Sequence, residues 1–447
     1  TSGRPVGAAA AAKLGLVDEV VGDPKTAKAA DAAALVERAL DFAAALEGAP
    51  VDFDARVVAR RPVAPVPDGF FSAAKAMVVK ASRGEVAGAS IVDAVEAATT
   101  APSFEAGLDE ERRLFLELAA GGQARALQHV FFAERAMGKV EGLDKAVKPL
   151  PLKSAAIVGA GTMGGGIAMC FAERGVPVTI IDTSAEALER GLKTIRGNWQ
   201  RQVDKGKLSA AALEERVGRI RTTTTYDDAG VAAADIAVEA VFERMSIKQT
   251  VLKQLDGACK QGAILATNTS TLNIDEIAAA TSRPDAVVGT HFFSPANVMP
   301  LLENVRGAAS SPTTLATAMA MGKLLGKKAV LAGNCFGFIG NRMLEGYVRE
   351  ALFMLELGAL PADVDGPMRA FGMPMGPLQM SDLAGNDIGY NVRKDFGWTF
   401  PASALADKLV ESGRLGQKTG GGWYDYDAKR KPNPSAAVET MIVEHSA

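Results

Sequence analysis

Among 447 residues there are three histidines, and one of them stands where chemistry is possible. His291 sits at the end of a strand-like segment in VVGTHFFSP, and Glu303 follows twelve residues later in LLENV. Imidazole titrates near neutrality, so it can accept a hydroxyl proton. A carboxylate on the far ring nitrogen would fix the tautomer and stabilise the imidazolium that forms. Ser270, in Asn268-Thr269-Ser270, and Asn341, in FGFIGNR, offer hydroxyl and amide groups that can hold a carbonyl or enolate-like oxygen. This set suits oxidation of a secondary alcohol, with the proton going to His291 and hydride leaving for a nicotinamide. His129, within an amphipathic apolar pattern, reads as structural, and His445 lies in the tail.

A hydride acceptor needs its own cradle, and the stretch SAAIVGAGTMGGGIAMCFAERGVPVTIID from Ser154 to Asp182 has the form of one. It reads as strand, glycine turn, helix, strand, acid. In the turn formed by Gly159, Ala160, Gly161, Thr162, Met163 and Gly164, each glycine has a separate task. Gly159 permits the sharp bend, Gly161 lets the backbone approach a pyrophosphate, and Gly164 lets the helix pack on the strand. N–H groups at the helix start would face the phosphates. Asp182 can accept hydrogen bonds from the ribose hydroxyls and repels a 2'-phosphate, which favours NAD over NADP.

The elements that must position these groups follow from pattern. After Asp182 come helical stretches from Ala185 to Lys205 and on to about Val217, then Ile220 to Thr225. Strand-like segments Asp235 to Ala240, Ala263 to Thr267 and Ala286 to Thr290 alternate with helices. The expectation is α/β: a Rossmann-type, doubly wound, mostly parallel sheet over residues 151–335, with ligands along the carboxyl ends of its strands. Those ends carry Glu239 to Lys248, Asn268 to Ser270, and His291. A mainly helical domain over 336–447 should follow. Residues 1–150 read as helices, at Ala27 to Leu46, Ser72 to Ser82, Ala89 to Thr99, Phe104 to Ala120 and Gln123 to Met137. Val51 to Phe70, with three prolines, reads as an extended connector, and Gly138 to Lys153 as a domain boundary.

Composition bounds the rest. A net charge of −3, with 48% apolar and 23% charged residues, describes a globular chain without the basic surplus of a nucleic-acid binder. Cys170, Cys259 and Cys335 are widely spaced, giving neither a disulfide framework nor metal-ligand spacing, so no metal and a reducing compartment are expected. No apolar run approaches a membrane span and the start lacks signal-peptide order, so the expected location is cytoplasmic. Alanine and arginine richness associates with a bacterial source.

Two resemblances extend this reading. The opening TSGRPVGAAAAAKLGLVDEVV resembles the late part of an enoyl-CoA hydratase/isomerase (crotonase) domain. Residues 154 to about 427 resemble 3-hydroxyacyl-CoA dehydrogenase through GAGTMGGGIA, VEAVFERMSIK, ATNTSTL, GTHFFSPANVMPLLE, FGFIGNRM and GQKTGGGWY. Together they are similar to the middle of the multifunctional fatty-acid oxidation enzymes. The resemblance implies NAD-dependent oxidation of (3S)-3-hydroxyacyl-CoA, with His291 as base, Glu303 as its partner, and Ser270 and Asn341 at the reacting end of the acyl-CoA. It implies that Met163, Asp182, Val241, Glu243, Lys248, Ser270, Ser294 and Lys418 lie near NAD. Ser294 departs from the asparagine common at its position. Asn198 and Lys205 match positions that touch the CoA moiety.

The family's hydratase residues lie upstream of the opening segment, so no hydratase activity is expected, and beginning inside a recognisable domain suggests a cut. The multifunctional relatives carry two helical domains after the nucleotide domain, whereas this sequence carries one, which implies a homodimer through that domain. A thiolase partner belongs to the full-length complex. An alternative is a silent NAD- or CoA-binding scaffold, against which the intact Ser270, His291, Glu303 and Asn341 speak. Another is a β-hydroxyacid dehydrogenase of a different kind, which would use a lysine on the helical domain.

Overall fold

Helix-spaced apolar residues dominate the N-terminal part, and a computed structural model of the protein describes residues 5–22, 32–47, 57–82, 84–140, 142–144, 146–395 and 403–446. The chain divides into two compact units, Thr1–Gln128 with Arg369–Pro374, and His129–Met368 with Met375–Ala447. The first holds α1 (Ala8–Lys13), α2 (Ala32–Leu46), α3 (Phe70–Ser82), α4 (Ala87–Thr100) and α5 (Phe104–Ala120), and α6 (Gly122–Ala136) crosses the division. Ser103 caps α5 by accepting from the Ala106 N–H at 3.1 Å. Lys75 of α3 meets Asp93 of α4 at 2.7 Å. The connector is extended over residues 61–67 after a short 3₁₀ turn at Val58–Arg60, as its prolines require. The expected start of the alanine-rich helix, residues 27–31, and the connector's first residues, 51–56, lie outside the described residues.

The second unit is organised by a sheet. Its strands are β1 (Ala155–Val158), β2 (Val178–Ile181), β3 (Ile220–Thr223), β4 (Ile236–Glu239), β5 (Ile264–Thr267), β6 (Val287–Phe292), β7 (Leu301–Arg306) and β8 (Lys328–Gly333), in the order β3-β2-β1-β4-β5-β6-β7-β8. The ladders are parallel except β6 against β7. β1, β2, β4, β5 and β6 are buried at every position, because helices cover both faces. Ala155 and Ile157 join a core with Phe171, Trp199 and Phe292, while Ala156 and Val158 join one with Leu252, Leu255 and Val305.

The helices of this unit are α7 (Thr162–Glu173), α8 (Ala185–Asp204), α9 (Ala210–Gly218), α10 (Ala229–Ala232), α11 (Met245–Ala258), α12 (Ile274–Ala278) and α13 (Pro312–Leu324). The doubly wound sheet is the expected one, with two strands that pattern alone did not show. β7 and β8 extend it beyond β6, parallel to each other and antiparallel to β6.

From Gly340 the chain becomes helical, with α14 (Gly340–Glu356), α15 (Pro361–Phe371), α16 (Pro377–Ala384), α17 (Asn386–Asp395), α18 (Ala404–Glu411) and α19 (Ala436–Ser446). Leu355, Leu378, Leu405, Leu409, Trp423, Val438 and Ile442 form their core. Within it, Asp382 accepts from the backbone N–H of Trp423 and Tyr424 and from the Tyr426 hydroxyl, fastening the GGGWYDY segment. His445 pairs with Glu356, a structural contact. Among the described residues no helix is long and apolar enough to cross a membrane, and no group of His, Cys, Asp and Glu could hold a metal ion.

Candidate active site

Gly159 follows β1 with φ +105°, and a Cβ there would stand 2.7 Å from the Ala240 carbonyl oxygen. Both facts demand glycine. A Cβ on Gly164 would lie 1.8 Å from the Gly159 oxygen, so this position lets α7 rest on the turn. Gly161 differs from both, since a Cβ there would meet open space. That open space leaves room for a pyrophosphate to approach the backbone. Gly161 is also the N-cap of α7 and supplies no side-chain acceptor, leaving the first-turn N–H groups, Thr162 and Met163 included, for an anion. The Asp182 carboxylate at the end of β2 accepts from the Ala160 N–H at 2.8 Å, so it braces the turn. These residues fit a dinucleotide.

The next carboxyl end, that of β4, holds a buried charge cluster. Lys248 of α11 donates to both oxygens of Glu239 at 3.0 Å and lies 3.3 Å from Glu243. Val241, half-buried, packs on the core beneath. Burial pushes the Glu239 carboxyl up, with Lys248 and the Thr267 hydroxyl opposing. Burial also acts on Glu243, but Lys248 and the surrounding donors outweigh it and hold that carboxyl below its ordinary value. One Glu243 oxygen accepts from the Ser270 N–H at 2.8 Å, the Ser270 hydroxyl at 3.1 Å, the Thr269 hydroxyl at 2.6 Å and the Thr271 N–H at 3.1 Å. The segment Thr269 to Thr271 is thus wrapped around a single carboxylate oxygen. Glu239 was seen in sequence only as a polar strand end. Its pairing with Lys248 could have been found from two opposite charges flanking an apolar strand's exit, nine residues apart.

β6 runs past the β5 ladder, whose last pair is Thr267 with Gly289, and so carries His291 to the carboxyl edge beside Asn268. Asn268 Oδ1 accepts from the Phe292 N–H at 2.9 Å and closes that step. His291 Nδ1 lies 2.7 Å from Glu303 Oε2, with both side chains buried. The other Glu303 oxygen accepts from the N–H groups of Ile339 at 3.1 Å and Gly340 at 2.8 Å, the start of α14. The carboxylate therefore holds Nδ1–H, and Nε2 is the nitrogen left to take a proton. The rings of Phe293 and Phe338 lie 4.4 and 5.6 Å from the imidazole and exclude water from its faces. Phe338, preceded by Gly337 at φ +68°, is itself in the left-handed region at φ +49°, a strained backbone of the kind found at functional sites. Asn341, on the first turn of α14, reaches the Ser270 carbonyl with its amide at 3.5 Å. Ser270, His291, Glu303 and Asn341 are accordingly joined by strand ends and one helix start.

Other expected residues stand apart. Ser294 is exposed in the loop after β6. Asn198 of α8 contacts Arg201 and the Met169 sulfur, and Lys205, the C-cap of that helix, is exposed. Lys418 lies on the 3₁₀ turn Gln417–Thr419, and its ammonium pairs with Asp387 of α17 rather than with a group of the dinucleotide edge. Its sequence position gave no sign of that competing carboxylate.

Residues 154–335 match the family described as 3-hydroxyacyl-CoA dehydrogenase, NAD binding domain, and residues 337–426 match its C-terminal domain. The peroxisomal bifunctional enzyme of Cavia porcellus is 41% identical over 460 residues, covering 97% of this chain and 61% of that protein. That of Homo sapiens shows the same identity and coverage. The chain therefore spans about three fifths of the length of these curated relatives. The solved (S)-3-hydroxybutyryl-CoA dehydrogenase PaaH1 from Ralstonia eutropha is 38% identical with a TM-score of 0.59, and the match covers 62% of this chain and 100% of that one. With a dinucleotide turn, a His–Glu pair and a helical module in one order, the chain belongs to the 3-hydroxyacyl-CoA dehydrogenase family, and its residues 154–335 are that family's NAD-binding domain.

Proposed function

We propose that this chain oxidises (3S)-3-hydroxyacyl-CoA to 3-oxoacyl-CoA in fatty-acid β-oxidation. The observation that carries the reading is the 2.7 Å contact between His291 and Glu303 at the carboxyl edge, beside Ser270. His291 Nε2 takes the proton of the 3-hydroxyl, and Glu303 stabilises the imidazolium through Nδ1–H. The Ser270 hydroxyl and the Asn341 amide hold the substrate's reacting oxygens as charge develops. Gly159, Gly161, Thr162, Met163, Gly164 and Asp182 hold the dinucleotide, with Val241, Glu243, Lys248, Ser270 and Ser294 toward its nicotinamide end. Bound NAD supplies the hydride acceptor. Lys418 takes part only by giving up Asp387. Asn198 and Lys205 face the CoA portion.

The first test is NADH consumption with acetoacetyl-CoA. His291→Gln should lower turnover by roughly 10² to 10⁴ while NADH fluorescence still reports binding. Full turnover in that variant would refute the role of His291.

The same reading extends to the rest of the chain. Alignment with the bifunctional relatives over 97% of this chain supports taking residues 1–150 as the end of a hydratase/isomerase domain with a helical linker, followed by domains at 151–335 and 336–447. On α14 and its C-cap, Met343, Phe353 and Leu357 are 74%, 55% and 69% exposed, an apolar stripe that a second copy of the helical domain would cover. We therefore favour a homodimer, and a monomeric elution mass at micromolar concentration would count against it. A thiolase partner and a cytoplasmic, bacterial setting complete the proposal, the latter supported by the free thiols of Cys170, Cys259 and Cys335.

A further inference from the structure

Between the reacting histidine and β7 lies the loop 294–300, and a lysine outside the chemistry above holds it down. Helix α13 runs into Leu325 and Gly326, and Gly326 adopts φ +71°. The Lys327 N–H then returns to the Gly322 carbonyl at 2.8 Å, a glycine-terminated helix end that fixes where Lys327 leaves the backbone. Its side chain crosses to the loop, where Nζ donates to the carbonyl oxygens of Ala296 at 2.5 Å and Met299 at 2.8 Å. Both acceptors are neutral, so the ammonium's hydrogen-bonding strength goes into backbone.

Three other contacts meet at the same place. The Ala296 oxygen also accepts from Cys170 Sγ of α7 at 3.4 Å. A Cβ on Gly166 of α7 would come within 3.1 Å of the Ala296 side chain and 3.3 Å of the Asn297 nitrogen, so the loop lies directly on that helix. The Lys328 N–H donates to the Pro300 oxygen at 2.8 Å and closes the loop's far end. Helix α7 is the one whose first turn faces the dinucleotide, and the loop begins with Ser294, three residues after His291.

We propose that Lys327 is a positioning residue for the cofactor. By clamping the Ala296 and Met299 carbonyls over α7, it presets the backbone that carries Ser294, so the loop need not be ordered when the cofactor binds. The proposal rests on the dehydrogenase reading. It is tested with Lys327→Met, which keeps the stem and removes the donors, and Lys327→Arg, which keeps charge and donors.

NADH affinity is read by fluorescence titration, amide deuterium uptake over residues 293–300 by mass spectrometry, and KM and kcat with acetoacetyl-CoA. Lys327→Met should raise the NADH Kd and its KM about tenfold, the effect of losing charge-assisted hydrogen bonds. It should also speed exchange in the loop while the KM for acetoacetyl-CoA stays within about twofold, and Lys327→Arg should recover most of the affinity. An unchanged NADH Kd, or equal shifts in both KM values with no local change in exchange, would overturn it. Should Lys327→Met fail to fold, Lys327→Gln, which removes the charge and leaves only a neutral amide donor on a shorter stem, carries the same measurements. A wild-type chain that binds NADH without turnover would sink the catalytic reading alone, because the fluorescence and exchange arms still decide Lys327.

Discussion

His291 and Glu303 are register partners in the antiparallel β6–β7 ladder, and that pairing sets the 2.7 Å contact between Nδ1 and Oε2. Directly opposed residues of an antiparallel pair share one face of the sheet, so two side chains twelve positions apart in sequence meet side by side on paired strands. The second Glu303 oxygen holds the start of α14, which links the base to the helix carrying Asn341.

Glu303→Gln tests that link. The amide still fills the space and its oxygen can keep the Ile339 and Gly340 bonds, but its neutral NH2 group cannot accept from Nδ1–H or stabilise an imidazolium. Turnover should fall by about 10² or more, with NADH affinity nearly unchanged. Stopped-flow reduction of acetoacetyl-CoA, with thermal melting as the check on folding, reads both.

Two glycines of the turn should respond differently. Gly164→Ala forces a Cβ onto the Gly159 oxygen, so it should destabilise the fold by about 1–3 kcal/mol or more. Gly161→Ala meets nothing in the protein and should cost under about 1 kcal/mol of stability. Its NADH affinity should nevertheless fall about tenfold, because the added methyl stands where the phosphates approach. Urea denaturation and fluorescence titration separate the two effects.

Glu243 predicts an acid dependence with a definite sign. Against burial, Lys248 and the hydroxyl and amide donors hold its carboxyl below the ordinary 4.5. A group depressed in this way contributes stability that is fully present above the ordinary value and lost as pH falls through the native one. Urea midpoints should therefore drop as pH falls below about 4.5, and Glu243→Gln should flatten that limb. The variant should also lose order in residues 269–271, visible as faster amide exchange.

Lys248 is fully buried with Glu239. Replacing it with methionine leaves a carboxylate uncompensated in the core, a loss expected to cost about 3–5 kcal/mol. Adding Glu239→Gln to Lys248→Met should restore much of that stability, which chemical denaturation would show as a raised midpoint.

Much of the fold and site was legible without coordinates because local rules govern it. The turn from Gly159 to Gly164 needs glycine for reasons of backbone angle and close approach, and Asp182 ends a strand whose apolar run is plain. Gly161 differs from these, since its spacing marks it out although a Cβ there would meet nothing in the protein. His291 and Glu303 could be named as partners from residue chemistry alone. What tertiary structure decided were contacts between elements whose order in the sheet is not written locally. LLENVR carries Glu and Asn at its centre and resembles no ordinary buried strand, yet it is held between β6 and β8, where Glu303 finds a histidine. The wrapping of the Ser270 segment around Glu243, the capture of Lys418 by Asp387, and the reach of Lys327 to the Ala296 carbonyl belong to the same class. Each depends on which helix end or loop a charged side chain meets in space, and periodicity along the chain carries no record of that.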